Sequence, residues 1–190
     1  MFAFAVIVLI VAPLYAAAPA VETFEYKFDT KDNLEGWTPN EASKAEVIEK
    51  GAGGSACCLK LSGKDCSVES PSISFKCNDN VISFDYFVHG AASIRLRLCV
   101  KGEENITKYG KYGNLFLRKI EPDQWLHAEI KLADVPGAAE SNKAKAYPEL
   151  EYRKLGIMTY CDTDDYFVQL DNIKLGKASG KTDEKPAETK

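Results

Sequence analysis

Tyr166-Phe167-Val168-Gln169-Leu170-Asp171-Asn172-Ile173-Lys174-Leu175-Gly176 is the stretch on which the reading of this chain turns. Val168 and Leu170 share one face with period two, the spacing of a half-buried strand. The next apolar residues are Ile173 and Leu175, so the phase slips by one residue at Asp171-Asn172. An extra residue in one strand is a β-bulge, which bends the strand and re-aims a side chain. Here that side chain is the Asp171 carboxylate, placed either to serve a hard cation such as calcium or to sit at a solvated strand end.

Outward from this segment, short alternating or apolar runs are separated by Gly, Asn, Asp and Pro at the spacing of an all-β sandwich. The pattern predicts strands over Thr23 to Phe28, Ala45 to Glu49, Ala56 to Leu61, Ser72 to Lys76 and Val81 to His89. Further strands are predicted over Ser93 to Val100, Leu115 to Ile120, Trp125 to Leu132, Leu155 to Cys161 and Phe167 to Leu175. No long segment carries a helical period. The best helical candidate, Ala138 to Ala146, is short and polar and precedes Pro148, so Val135 to Tyr152 reads as a long loop.

Three segments follow from composition. Residues 1–20 are apolar and end in Ala18-Pro19-Ala20, which fits a signal peptide cleaved before Val21; an uncleaved anchor is the rival, but Pro13 interrupts a run short of the ~20 residues a span requires. Residues 21–176 form one domain large enough to bury its own core. From 177 to 190 the chain is polar with nothing to bury and reads as a disordered tail. Its Gly180-Lys181-Thr182 lacks the glycine spacing of a phosphate-binding loop. The expected location is therefore extracytoplasmic: secreted, periplasmic or cell-surface.

The formal charge is −4 and the basic residues are scattered, which argues against nucleic acid. The six cysteines, Cys57, Cys58, Cys66, Cys77, Cys99 and Cys161, suit an oxidising compartment and allow up to three disulfides in about 15 connectivities. Cys66 and Cys77 would staple a short loop, and the adjacent Cys57 and Cys58 would point to opposite faces of a strand. No paired C-x-x-C units suggest zinc.

The final strand, the early pair Phe28-Asp29 and the Leu34-Glu35-Gly36-Trp37 segment frame an ordered set of motifs. Between them lie Ser70-Pro71-Ser72-Ile73-Ser74-Phe75, Ile82-Ser83-Phe84-Asp85-Tyr86, Ile94-Arg95-Leu96-Arg97-Leu98 and Gln124-Trp125-Leu126-His127-Ala128-Glu129-Ile130. In this order they resemble secreted carbohydrate-binding modules of the galactose-binding-domain-like superfamily, over nearly the whole mature chain. The resemblance implies a jelly-roll β-sandwich of two antiparallel sheets. It also implies a structural calcium joining the chain ends, held by Asp29 and Asp171 with Glu25 as a weaker third, although Phe-Asp stands where Phe-Glu is more usual. In such modules the Gly-Trp tryptophan packs structurally, so Trp37 and Trp125 are assigned to core or boundary positions.

The run Val81 to Val100 reads as a hairpin turning near Ala91. Ile82, Phe84, Tyr86 and Val88 would join Ile94, Leu96, Leu98 and Val100 over one core, leaving Ser83, Asp85, Phe87 and His89 beside Arg95, Arg97 and Cys99. Phe87 would then oppose Arg95, and Asp85 would oppose Arg97. Such a face suits a sugar, with a ring for the apolar face of a pyranose and two guanidinium forks for uronate or sulfate; the alternative is a solvated face with an Asp85–Arg97 ion pair. Tyr109 and Tyr112, and Tyr160 with Asp162, are further candidates at the rim.

Catalytic signatures are sparse: there are two histidines, and no G-x-S-x-G, H-E-x-x-H or dinucleotide-binding fingerprint. The reading is non-catalytic binding of an extracellular or cell-envelope polysaccharide, alone or docked to an enzyme or envelope protein. A structural or protein-contact domain is the alternative. A lyase using His89, Arg95, Arg97 and Tyr160, or a glycosidase using paired carboxylates, is the less favoured reading.

Overall fold

The computed structural model describes residues 23–40, 43–76, 80–90, 92–100, 114–117, 120–135, 152–161, 163 and 165–177. Eleven strands run through them: β1 Phe24–Tyr26, β2 Thr38–Pro39, β3 Lys44–Glu49, β4 Cys57–Ser62, β5 Ser67–Glu69, β6 Asn80–His89, β7 Ala92–Val100, β8 Asn114–Leu117, β9 Trp125–Lys131, β10 Tyr152–Cys161 and β11 Phe167–Lys177. The only helical elements among the described residues are short 3-10 turns at Ala52–Gly54 and Leu132–Asp134. The strands form two antiparallel sheets, the jelly-roll β-sandwich expected from the sequence. Sheet A has the order β3-β4-β11-β6-β9 with β1 also beside β11, and sheet B has the order β2-β5-β10-β7-β8.

Alternation fills the space between the sheets. Leu59, Leu61, Ile82, Phe84, Val88, Val168, Leu170 and Ile173 from sheet A meet Val68, Ile94, Leu96, Leu98, Leu155 and Ile157 from sheet B. Burying each such side chain contributes roughly 1.5–3 kcal/mol, which makes this layer the main stabilising element. Trp37 joins it at 2% exposure, with its ring edge-on to Tyr26 at 5.4 Å between centroids.

The bulge lies where the last strand placed it. On β11, Asp171 pairs with Asp85 and Lys174 with Ser83, so three steps along β11 match two along β6. Asn172 takes up the extra residue with φ +48°. On its other side β11 changes neighbour at the same point, pairing with β4 through Leu170 and with β1 from Ile173 onward. The bulge therefore sits in the gap between the ends of two strands.

The predicted hairpin from Val81 to Val100 is not one. β6 belongs to sheet A and β7 to sheet B, so the chain crosses the sandwich between His89 and Ala92. Gly90 has φ +80°, and an added Cβ would lie 2.1 Å from the Tyr166 ring, so a residue without a side chain turns the corner against that ring. Both apolar rows do face one core, but across it rather than side by side. The chain also strays from expectation at Ser72 to Lys76, which holds only an isolated bridge from Phe75 to Tyr152, and in the unpredicted strands β2 and β5.

Disulfide pairing is corrected as well. Cys57, Cys58 and Cys66 are free, buried thiols, so Cys66 is not bonded to Cys77. Residues 1–22, Tyr109, Tyr112, Cys77, the stretch from Ala138 to Ala146, Asp162 and the tail from 178 lie outside the described residues.

Candidate functional site

The sheet crossing divides the predicted face in two. Asp85, Phe87 and His89 project from the outer face of sheet A, while Arg95, Arg97 and Tyr160 belong to the outer face of sheet B. Phe87 therefore does not oppose Arg95. Its cross-strand neighbours are Trp125 and Gln169. Asp85 does not pair with Arg97; its Oδ1 meets His127 Nδ1 at 2.7 Å and its Oδ2 accepts from Asn172 Nδ2 at 2.8 Å.

On sheet B, Arg95 and Arg97 are two residues apart on β7 and share its outer side, since Ile94, Leu96 and Leu98 occupy the core side. β10 lies beside β7, with Gly156 opposite Arg97, Met158 opposite Arg95 and Tyr160 opposite Ser93. Arg95 Nη1 donates to the Tyr160 hydroxyl at 2.8 Å, which fixes the direction of the guanidinium. Next along the sheet, Glu69 on β5 opposes Gly156 and binds Lys154 Nζ at 2.7 Å. Arg97 is only 8% exposed although it points away from the core, so its side chain is largely covered on that side as well. A near-buried guanidinium beside one held by a phenol makes a rigid, positively charged pair. Planar forks of this type match carboxylate or sulfate oxygens.

The outer face of sheet A is aromatic at one end. Phe87 and Phe167 are nearly parallel (13°) with centroids 6.2 Å apart, Trp125 lies 5.8 Å from Phe87, and His89 stacks on Phe167 at 4.9 Å. Lys60 Nζ stands 4.9 Å from the Phe167 centroid. Trp125 is thus a half-buried surface residue, whereas Trp37 is core. Sequence reasoning passed over His127, although alternation along β9 places it on the same face as Trp125 and Glu129.

The bulge builds a third feature. Asp171 is fully buried, its Oδ2 accepting the Ala52 N–H at 2.9 Å and its Oδ1 accepting the Asn172 N–H at 2.7 Å. Burial pushes its carboxyl pKa above the usual carboxylate range; the N–H donors of Asn172 and Ala52 and the Ser55 hydroxyl pull it back down, and the nearby Asp85 charge adds to the rise. The Ser55 hydroxyl oxygen also lies 3.3 Å from Asp29 Oδ1 and 3.0 Å from the Cys57 carbonyl oxygen, so Asp29, Ser55 and Asp171 gather around one loop. A Cβ on Gly51 would lie 2.3 Å from the Cys57 carbonyl and 2.4 Å from Asp171 Oδ2, so the loop closes directly over an oxygen-lined cradle. Two carboxylates, a hydroxyl and main-chain carbonyls are a donor set for a hard cation. Glu25 is not part of it: it sits opposite Lys174 on the outer face and binds that ammonium at 2.8 Å, which holds its carboxyl below the ordinary range.

The turn before Trp37 has its own function in the chain. Both oxygens of Glu35 accept main-chain N–H groups, from Phe28 at 3.0 Å and from Lys27 at 3.1 Å. Phe28 has φ +54°, so this carboxylate holds the left-handed residue that delivers Asp29 to the cradle.

No family model matches the sequence, and no curated protein matches it. Solved structures do share its fold. The C-terminal family 22 carbohydrate binding module of Clostridium thermocellum Xyn10B superposes with a TM-score of 0.54 at 14% identity, over 82% of this chain and 94% of that one. The xylan-binding domain from CBM 22 gives 0.52 at 13% identity, over 85% and 97%. The K3 cleaved adhesin domain of Lys-gingipain from Porphyromonas gingivalis W83 gives 0.54 at 10% identity, over 82% and 98%. What these proteins share with the chain is the jelly-roll sandwich.

Proposed function

We propose that this jelly-roll sandwich is a non-catalytic carbohydrate-binding module that takes an anionic polysaccharide on the outer face of sheet B. The observation that supports the reading is the arginine pair: Arg95 is oriented by Tyr160, and Arg97 is almost buried on a surface that faces away from the core. Uronate or sulfate groups would meet the guanidinium forks, while Tyr160 and Met158 would lie against the sugar ring. Two of the folds it resembles are named as xylan-binding or carbohydrate-binding modules, which favours a polysaccharide over a protein partner. We further propose that the chain is exported, and that a structural calcium is held by Asp29 and Asp171 with the Ser55 hydroxyl and neighbouring carbonyls. Such an ion would supply positive charge to a buried carboxylate and tie the loop at residues 50–56 to both chain ends; it has no part in ligand chemistry.

Gel retardation against neutral, uronate-rich and sulfated polysaccharides tests the binding reading, with Arg95→Ala and Arg97→Ala variants run alongside. Retention by an acidic polysaccharide that falls in the variants and weakens with salt is the expected result. Formation of unsaturated uronate product, seen as new ultraviolet absorbance, would replace the reading with a lyase.

A further inference from the structure

Sheet A's outer face carries a different set of groups from the arginine face. Several of its charged groups are already engaged: Lys60 binds Glu46 at 3.2 Å and Lys174 binds Glu25 at 2.8 Å, while the His127 and His89 rings hydrogen-bond Asp85 at 2.7 Å and Asp123 at 2.6 Å. A surface whose charges close on one another exerts little pull on an ionic ligand. It still offers hydrogen-bonding groups and apolar area.

Those groups are arranged along one line. Phe87, Asp85 and Ser83 occupy alternate positions of β6, and Trp125, His127 and Glu129 oppose them one for one on β9. The four residue steps from Ser83 to Phe87 span ~13 Å, enough for a short run of sugar rings. At the Phe87 end, three rings stand half-exposed. Phe87 and Phe167 lie nearly parallel with their centroids 6.2 Å apart, and His89 stacks on Phe167. At the Ser83 end the sheet opens into a groove of about 230 Å³ where Ser83, Glu129, Lys174, Lys177 and Thr23 surround a floor at Gly176. Aromatic shelf, hydroxyls, carboxylate and ammonium thus follow one another across a single continuous face. The amphipathic character of an uncharged glycan, with apolar C–H faces and hydroxyl edges, fits that order.

We propose that the outer face of sheet A is a second carbohydrate surface, taking an uncharged polysaccharide chain along β6 and β9 from the Phe87–Phe167–Trp125 shelf to the Ser83–Glu129 groove. This rests on the carbohydrate reading of the fold but on a different face, different residues and the opposite charge preference. A molecule with two such faces would bridge a neutral and an acidic glycan.

The chain reports on this itself, because it has two tryptophans and they lie in different places: Trp37 in the core and Trp125 on the shelf. The ¹⁵N-labelled protein is titrated with xylohexaose and, separately, with hexagalacturonate while the indole N–H resonances are followed. With xylohexaose the Trp125 resonance shifts saturably and the Trp37 resonance stays in place, in wild type and in Arg95→Ala/Arg97→Ala alike. Trp125→Ala weakens xylohexaose about tenfold, the size expected for loss of one aromatic contact, and leaves hexagalacturonate binding unchanged. Binding of hexagalacturonate alone, or loss of xylohexaose binding in the arginine variant, overturns this inference and leaves the carbohydrate reading standing. Failure to bind either oligosaccharide removes both. Self-association abolished by Trp125→Ala, without a sugar response, overturns it in favour of a second copy of this chain on the shelf.

Discussion

Asn172 is the residue on which the local design rests. Its φ of +48° supplies the extra step of β11, its N–H caps Asp171, and its amide holds Asp85, which in turn meets His127. Asn172→Gly keeps the backbone free to adopt this conformation and loses only the amide. Asn172→Ala loses the amide and adds left-handed strain of about 1 kcal/mol. Urea unfolding should therefore rank wild type above Gly and Gly above Ala; equal stability of the Gly and Ala variants would count against the bulge as described. Cys58 gives a second residue-level expectation. It is fully buried, and desolvation first, then the Asp171 charge, pushes its thiol up to about 12. Iodoacetamide at pH 8 should leave Cys57, Cys58 and Cys66 unlabelled in the native protein and modify them after denaturation, as read by peptide mass mapping. Rapid native labelling would show that the β4 region opens.

Elements were legible from sequence where alternation alone defines them. The slip between Leu170 and Ile173 announced the bulge because a period of two admits no other way to keep both residues in the core. The same periodicity could not assign β6 and β7 to their sheets. Rows at Ile82, Phe84, Val88 and Ile94, Leu96, Leu98 bury equally well side by side or face to face, and the choice is made by Gly90 and by Tyr166, far away in sequence. For that reason the candidate face joined residues that belong to opposite surfaces. β2 and β5 are two or three residues long, too short to show a period, and their place comes from β10 beside them. Gly90→Val tests the corner: strain at φ +80° plus a clash with Tyr166 should cost about 2 kcal/mol or more, seen as a lower urea midpoint with an unchanged slope. A variant as stable as wild type would mean that the corner tolerates a side chain and that Gly90 does not direct the crossing.

For the whole molecule, the cradle and the two proposed binding faces belong to one sandwich, with the buried Asp171 carboxylate on the middle strand of sheet A and the proposed surfaces on the outside. Asp171 and Asp29 link β11, the loop before β4 and the segment after β1, so a cation there would stabilise the native state by mass action. At calcium 100-fold above its Kd, the gain is about 2.7 kcal/mol. Calorimetry with calcium against chelator should show a raised Tm in wild type and none in Asp171→Asn; the same increment in both would place the ion elsewhere. The arginine face is tested by isothermal titration of hexagalacturonate into wild type and Arg95→Ala. Measurable affinity in wild type is expected, with a loss of about tenfold or more in the variant at unchanged Tm and further weakening with salt. Equal affinity in both proteins, or none in a folded wild type, would contradict it.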